Sequence, residues 1–222
     1  ETAVLIYFHK DLARIVKTWT KSLYQPTLRS SIDARMGWYI ILGTMPIAVL
    51  GLTFAPWIET AARNLWIVST VLIVFGLILG AADRWGSKLR ELPALRGRDA
   101  LLLGFGQALA LIPGVSRSGA TISVGLARGF TRAAATRYAF LLAIPAVFAS
   151  GLYEATKIGE DPNVQWGPTL LATTISLLVG YSVIAWLIRW VTTRSYTPFV
   201  VYRVVLGSIL IFLLATGAIA AT

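Results

Sequence analysis

The residues of this 222-residue chain best suited to chemistry lie together in one short run, PGVSRSGATIS, at 113–123. The surrounding stretch 100–127 is otherwise apolar. Its polar side chains are Gln107, Ser116, Arg117, Ser118, Thr121 and Ser123, and Arg117 is its only charge. An arginine inside an apolar, membrane-length segment costs about 2.5–3.5 kcal/mol on insertion scales, so it calls for a counter-ion. The ten acidic residues fall at residue 1 or in segments read as loops, which leaves an anionic ligand as the natural partner. The neighbours suit a phosphate. Gly114 and Gly119 let backbone N–H groups come close to it, and Ser116, Ser118 and Thr121 offer hydroxyls. A helix starting near Gly119 would point its N-terminus at the anion. The planar fork of Arg117 can hold two phosphate oxygens at once. The competing reading, a Pro-Gly helix break with Arg117 snorkelling to water, requires an interface that the flanking apolar residues do not provide.

The elements that position this run are membrane helices. Hydrophobic residues make up 56% of the chain and charged ones 14%, well below the roughly 25% of a soluble domain, so lipid is its main solvent. Mean hydropathy is +0.71. No cysteine is present, and the single histidine, His9, excludes a zinc site built on several imidazoles. The net charge of +10 does not point to nucleic acid, because the basic residues sit in short segments between apolar runs. Apolar stretches long enough to span occur at 38–55, 64–82, 138–153, 166–188 and 198–220. Trp38, Trp57, Trp66, Trp85, Trp166 and Trp190 lie near their ends as interfacial anchors. Residues 1–9 read as the remnant of a further span, since Glu1 is followed directly by an apolar run too short to cross. The natural chain is therefore expected to begin upstream. The whole of 1–222 reads as one all-α, polytopic membrane domain with about five complete spans and a partial first one.

Charge placement gives the topology. Lys10, Arg14, Lys17, Lys21, Arg29 and Arg35 in segment 9–37, and Arg84, Lys88, Arg90, Arg96 and Arg98 in segment 83–99, mark the cytoplasmic side. Segment 56–63, with only Glu59 and Arg63, falls outside. If 100–127 simply crossed, Arg128, Arg132, Arg189 and Arg194 would lie outside and the acidic loop Glu154–Asp161 inside. If 100–127 enters and turns back at Pro113-Gly114, every loop falls on its expected side. The sequence thus predicts a re-entrant helical hairpin. Broken backbone at membrane depth requires protein or a polar cavity around it.

Other candidates are weaker. Arg203, in PFVVYR, either reaches inward to the same anion or snorkels to the membrane edge. Gln107 is expected to bond to backbone across the hairpin, with a ligand role second. Arg137 reads as a positive-inside residue. His9, among solvated charges, makes a poor catalytic base. Pro46 and Pro145 are expected to kink or cap their helices.

At these residues the chain resembles the undecaprenyl-diphosphatase family, integral membrane enzymes associated with bacitracin resistance, and its loops resemble actinobacterial members. The resemblance rests on ALALIPGVSRSGATIS (108–123), FLLAIPAVFASGLY (140–153), GTMPIAVLGL (43–52) and FVVYR (199–203). It implies an inverted-topology repeat, each half with a re-entrant hairpin and three spans, in the bacterial plasma membrane. It implies hydrolysis of undecaprenyl diphosphate to the monophosphate, which recycles the lipid carrier for peptidoglycan synthesis, and dependence on a divalent cation, magnesium or calcium. It leaves a homodimer open. Residue by residue, Ser116, Arg117, Ser118, Gly119 and Thr121 match the diphosphate-binding motif, and Arg203 matches the Tyr-Arg of the last helix. The family's other motif, E-G-x-T-E-F-L-P-V-S-S-x-G-H, has no counterpart in these residues and is expected upstream, along with the metal ligands.

Taken together, these expectations give Arg117, Ser116 and Thr121 catalytic roles. Gly114, Ser118, Gly119, Gln107 and Arg203 bind substrate, and no metal ligand lies in this chain. The 222 residues alone are expected to be inactive. The alternative is a transporter or flippase of an anionic polyprenyl lipid, because broken helices in inverted repeats are also transporter architecture. A phosphatase of the acid-phosphatase type needs motif histidines, which a single His9 cannot supply.

Overall fold

The apolar runs form helices long enough to cross a bilayer in the computed structural model, which describes residues 2–61, 64–158 and 166–221. At 55–61 and 153–158 it describes the backbone alone. The sequence expectations that fall on Glu1, Trp57, Glu59, Arg63 and the Glu154–Asp161 loop therefore lie outside the described side chains. The helices are α1 (Thr2–Tyr7), α2 (His9–Tyr24), α3 (Ile32–Ala61), α4 (Leu65–Trp85), α5 (Gly97–Ala108), α6 (Arg117–Ala127), α7 (Arg132–Ile158), α8 (Trp166–Thr193) and α9 (Thr197–Ala215). Among the described residues there is no strand, only an isolated bridge between Arg90 and Phe130. Five segments have the length and hydropathy of spans: Ile32–Phe54, Leu65–Trp85, Arg132–Leu152, Trp166–Thr193 and Thr197–Ala215. The five expected spans are thus present, with shifted ends. α7 starts six residues before 138, and α9 stops at Ala215 rather than 220. Pro46 and Pro145 both lie inside helices, so neither acts as a cap.

Segment 9–37, read from its charges as a loop, holds the 16-residue α2. Leu12, Ile15, Trp19 and Ser22 recur at helical spacing and turn towards the protein, while the lysines face out. Trp19 packs on Gly37 of α3, where an added Cβ would come within 2.7 Å of the indole. His9 opens this helix, its Nδ1 2.6 Å from the Ile6 carbonyl.

Helices α5 and α6 are 12 and 11 residues long, about 18 Å and 16 Å at 1.5 Å per residue, too short for either to span. They pack against each other as a hairpin. Gly106 of α5 has no room for a Cβ beside Val124 of α6. On its other side α5 crosses α3 at Gly104, where a Cβ would stand 2.3 Å from the Gly43 carbonyl. Small residues at a helix crossing let the backbones approach closely.

The base of the hairpin is closed by charge. Asp99, in the first turn of α5, is 1% exposed and accepts from Arg90 at 2.6 Å and Arg128 at 3.0 Å. It also accepts from the Arg96 amide. Arg90 stacks 4.2 Å from the Phe130 ring centroid, and the Leu89 and Arg90 amides donate to the Gly129 carbonyl. A second buried carboxylate, Asp83 at the end of α4, pairs with Arg132 of α7 at 2.5 Å and accepts from the Tyr196 amide before α9. The Tyr196 hydroxyl bonds to Thr136 of α7. The partly exposed Asp11 of α2 holds Arg137 at 2.6 Å and Arg14 at 3.2 Å, and Arg14 reaches Asp33 of α3.

These pairs correct the view of the charges as solvated loop residues. Asp83 and Asp99 are buried, and Arg90, Arg128, Arg132 and Arg137 each have a carboxylate. The pairs also gather the start of α3, the end of α4, both ends of the hairpin and the starts of α7 and α9 at one end of the bundle.

Burial alone would raise the pKa of Asp99, but hydrogen bonds from Arg90 and Arg128 outweigh it and hold the carboxyl below its usual value. A carboxylate depressed on folding stabilises the fold above its unfolded pKa of about 4, and that contribution is lost as pH falls through the folded value. Removing one partner of a buried pair costs about 3–5 kcal/mol; with both arginines partly exposed, Asp99→Asn should cost about 2–3 kcal/mol. In detergent melts its deficit against the unsubstituted protein should be largest at neutral pH and shrink below about pH 4. An equal deficit at pH 7 and pH 3 would contradict the ion-pair account.

Candidate active site

The tip of the hairpin places four of the eight sequence-predicted residues, Gly114, Ser116, Arg117 and Arg203, in the lining of one cleft, and Ser118 follows at its edge. After α5 the chain makes a 3-10 turn at Leu109–Leu111 and reverses through Ile112–Val115. Gly114 sits at φ +92°, a conformation L side chains rarely adopt, and a Cβ there would lie 2.7 Å from the Val68 carbonyl of α4. Only glycine allows this turn to lie against α4.

Ser116 is the N-cap of α6, its Oγ accepting from the Gly119 amide at 3.2 Å. Its Oγ is also 3.4 Å from that of Ser118. The amides of Arg117 and Ser118 open the helix and have no carbonyl a turn earlier to bond. The start of α6 therefore presents N–H groups, two hydroxyls and a guanidinium to one place. That donor set suits an anion.

Arg203 comes from α9, about a turn and a half inside it, and completes the cleft. The guanidinium does not snorkel outward. Its Nη2 donates to the Gly114 carbonyl at 2.7 Å and its Nε to the Leu72 carbonyl at 3.4 Å. Ala110, Ile112, Gly114, Val115, Ser116, Arg117 and Arg203 line a cleft of about 380 Å³. Behind it a crevice between Ser116, Gly119 and Arg203 reaches Phe75 and Leu79 of α4. Arg117 makes no hydrogen bond or ion pair with any described residue, so its fork is free within the cleft. Next to the cleft, and sharing Ile112 with it, runs an apolar groove of about 660 Å³ lined chiefly by Leu50 and Phe54 of α3 with Leu102, Phe105 and Leu109.

Three expected ligands stand elsewhere. Thr121 is fully buried and donates to the Arg117 carbonyl at 2.9 Å, so its hydroxyl serves the first turn of α6 rather than the cleft. The Gly119 amide is taken by Ser116. Gln107 is fully buried, lines neither cavity, and neither its Oε1 nor its Nε2 has a hydrogen-bond partner. The expected bond to backbone across the hairpin is therefore not formed. Ser123 donates to the Gly119 carbonyl, also within α6. The sequence reading missed the Leu72 carbonyl, which accepts from Arg203, and the Val68 carbonyl, against which the Gly114 turn lies. Only backbone atoms are involved, and no side-chain pattern announces them.

A sequence profile of the family described as bacitracin resistance protein BacA matches residues 1–209. The chain belongs to the BacA family. Relatives 51–55% identical to it are mostly actinobacterial. The undecaprenyl-diphosphatase of Nocardioides sp. is 55% identical over 222 residues, all of this chain and 81% of that protein. That of Micrococcus luteus is 55% identical over 225 residues, again all of this chain and 81% of the relative. Undecaprenyl-diphosphatase 2 of Agrobacterium fabrum is 55% identical over 222 residues, covering 80% of it. Membership of the BacA family and five apolar spans make this a multi-pass protein of the bacterial inner membrane.

The donor set of the cleft does not fit a cation. No group of three or more His, Cys, Asp or Glu among the described residues could hold a metal. The buried carboxylates Asp83 and Asp99 are committed to arginines at the other end of the bundle. The divalent cation implied by resemblance finds no ligands in this cleft among the described residues.

The double seat of Arg203 on two carbonyls from different elements gives a direct test. Lysine keeps the charge but cannot span both, so Arg203→Lys should lower turnover at least 10-fold, with Arg203→Ala no more than a few-fold worse. Phosphate release from a lipid diphosphate measures this. Full activity in the lysine variant would reduce Arg203 to a point charge.

Proposed function

We infer that this protein hydrolyses a polyprenyl diphosphate, undecaprenyl diphosphate by the names of its relatives, to the lipid monophosphate and inorganic phosphate. Overall, water adds across the phosphoric anhydride: the terminal phosphorus gains an oxygen, and the bridging P–O bond breaks. Recycling of this lipid carrier for peptidoglycan synthesis, and hence bacitracin resistance, accord with membership of the BacA family.

One observation carries the assignment within this chain: the unpartnered Arg117 and the seated Arg203 line one cleft that opens beside an apolar groove. A diphosphate carries its charge at one end of a long apolar chain, and the two cavities share that polarity through Ile112. In this reading Arg117 grips the terminal phosphate through its fork, and Ser116, Ser118 and the first amides of α6 fill the remaining oxygen positions. Arg203 fixes the Gly114 turn and adds a second positive charge to the cleft, stabilising the charge that builds on the leaving phosphate. Phe105 and Leu109 line the path of the prenyl chain. Thr121 acts by holding the α6 turn that aims Arg117.

The hairpin is re-entrant in this proposal. Its two ends meet at Asp99, and α4 and α7 meet at Asp83 and Arg132, whereas a full crossing between them would separate those helix ends by about 30 Å. The positive-inside pattern puts that shared end in the cytoplasm. The transport alternative draws no support from relatives named as diphosphatases.

Arg117→Ala should lower phosphate release from undecaprenyl diphosphate by about 10²–10³, as loss of a preorganised charge donor does. Assayed in detergent with the folded state checked by melting, unchanged turnover would remove Arg117 from the reaction.

A further inference from the structure

A second cavity, at the opposite end of the hairpin, has no place in this reaction. It encloses about 560 Å³ and is lined by Arg35 of α3, Arg90, Arg96 and Arg98 before and at the start of α5, and Arg128 at the end of α6. The only carboxylate in its wall is Asp99. Five guanidinium groups therefore face one carboxylate, and that carboxylate is already shared between Arg90 and Arg128. Arg35, Arg96 and Arg98 form no ion pair among the described residues. The other acidic groups nearby do not reach it: Asp33 is held by Arg14, and Glu91 is exposed and not part of the wall.

Arg35 separates this from a merely solvated basic face. Its Nε is buried and has no hydrogen-bond partner, although it sits in a wall of like charges. A buried guanidinium N–H needs an acceptor, and a cavity of this size with such a surplus draws an anion with several oxygens. The cleft at the hairpin tip lies about 18 Å away along α5, so one ligand cannot occupy both.

We propose that this arginine cavity binds a phosphate group, bridging Arg35 of α3 to the base of the hairpin through Arg98. The arginines lie at the ends of apolar helices, at the depth of lipid headgroups on the basic face, where pockets between transmembrane helices take anionic phospholipids. The same chemistry would accept inorganic phosphate. Binding there would pin the hairpin base to α3 and leave the cleft free. The proposal is independent of the hydrolytic reading.

The test uses the purified protein in neutral detergent and its melting temperature. One arm titrates phosphatidylglycerol against phosphatidylcholine. The other titrates sodium phosphate against sodium chloride at matched ionic strength. Phosphatidylglycerol, but not phosphatidylcholine, should raise the melting temperature saturably, and in Arg35→Ala/Arg98→Ala the half-saturating amount should rise at least 10-fold. A saturable phosphate response lost in the same double variant would assign the site to the free anion. A phosphate response that survives the double variant belongs to the cleft and counts against the cavity. Equal responses to both lipids, or an unshifted double variant in both arms, would overturn the proposal. Should the alanines prevent folding, Arg35→Lys/Arg98→Lys keeps the charge and removes the fork, and the same 10-fold weakening is expected.

Discussion

Asp99 lies buried between Arg90 and Arg128, and through it the two ends of a helical hairpin meet. Neither α5 nor α6 is long enough to cross a bilayer, so neither can be placed by spanning. Their position depends on what holds them at the base and on the helices they lean against. The carboxylate is well supplied with donors: two guanidinium groups and the Arg96 amide. Arg90 in turn donates to the Arg128 and Ala94 carbonyls, which satisfies the ends of the chain around it. A buried ion pair with its remaining valences filled gives a specific geometry even where its net energy is modest. Here that geometry joins the start of α5 to the end of α6.

At the tip the governing constraint is a backbone one. A chain that reverses amid apolar helices leaves carbonyls without helical partners, and such groups must find donors. The Gly114 carbonyl finds Arg203. One side chain thereby closes the turn against α9 and brings a positive charge into the cleft. Ser116 does similar double duty, capping α6 while standing exposed in the cavity wall. The fold and the site are built from the same few bonds, so the residues that shape the turn are also those available to a ligand.

The spans are readable because length and hydropathy alone decide them, although their ends differ by up to six residues. The PGVSRSG run was readable because Pro, Gly and an isolated arginine are each anomalous inside an apolar segment. The partners of the other charges were not. Asp83 and Asp99 look like ordinary residues of a polar connection; Arg132 lies 49 positions after Asp83 and Arg128 lies 29 after Asp99, distances that no local pattern bridges, and only Arg90, nine residues before Asp99, is near in sequence. α2 was hidden because its lysines outweigh its apolar stripe in any average, although Leu12, Ile15 and Trp19 carry the period. Gln107 is expected to bond because a buried amide ordinarily does; in α5 it is fully buried with neither amide atom partnered, and no sequence pattern signals that exception. Whether Arg203 turned inward depended on a carbonyl of Leu72, and backbone atoms leave no mark on a sequence.

The two ends of the hairpin use one residue type in opposite ways. At the base, Arg90 and Arg128 are neutralised by a carboxylate of the protein, and α7 repeats the device with Arg132 on Asp83. At the tip, Arg117 has no such partner, and Arg203 is held only by neutral carbonyls. An acidic residue placed there would have offset the cost of burying these cations, about 2.5–3.5 kcal/mol for an arginine at membrane depth. It would also have competed with any anion entering the cleft. Leaving the tip uncompensated keeps its field available, and the cost falls on a hairpin already secured by Asp99. At the tip the division of labour is thus electrostatic: paired charges elsewhere fix the architecture, and in the proposed reaction the two uncompensated arginines of the cleft are left to the substrate.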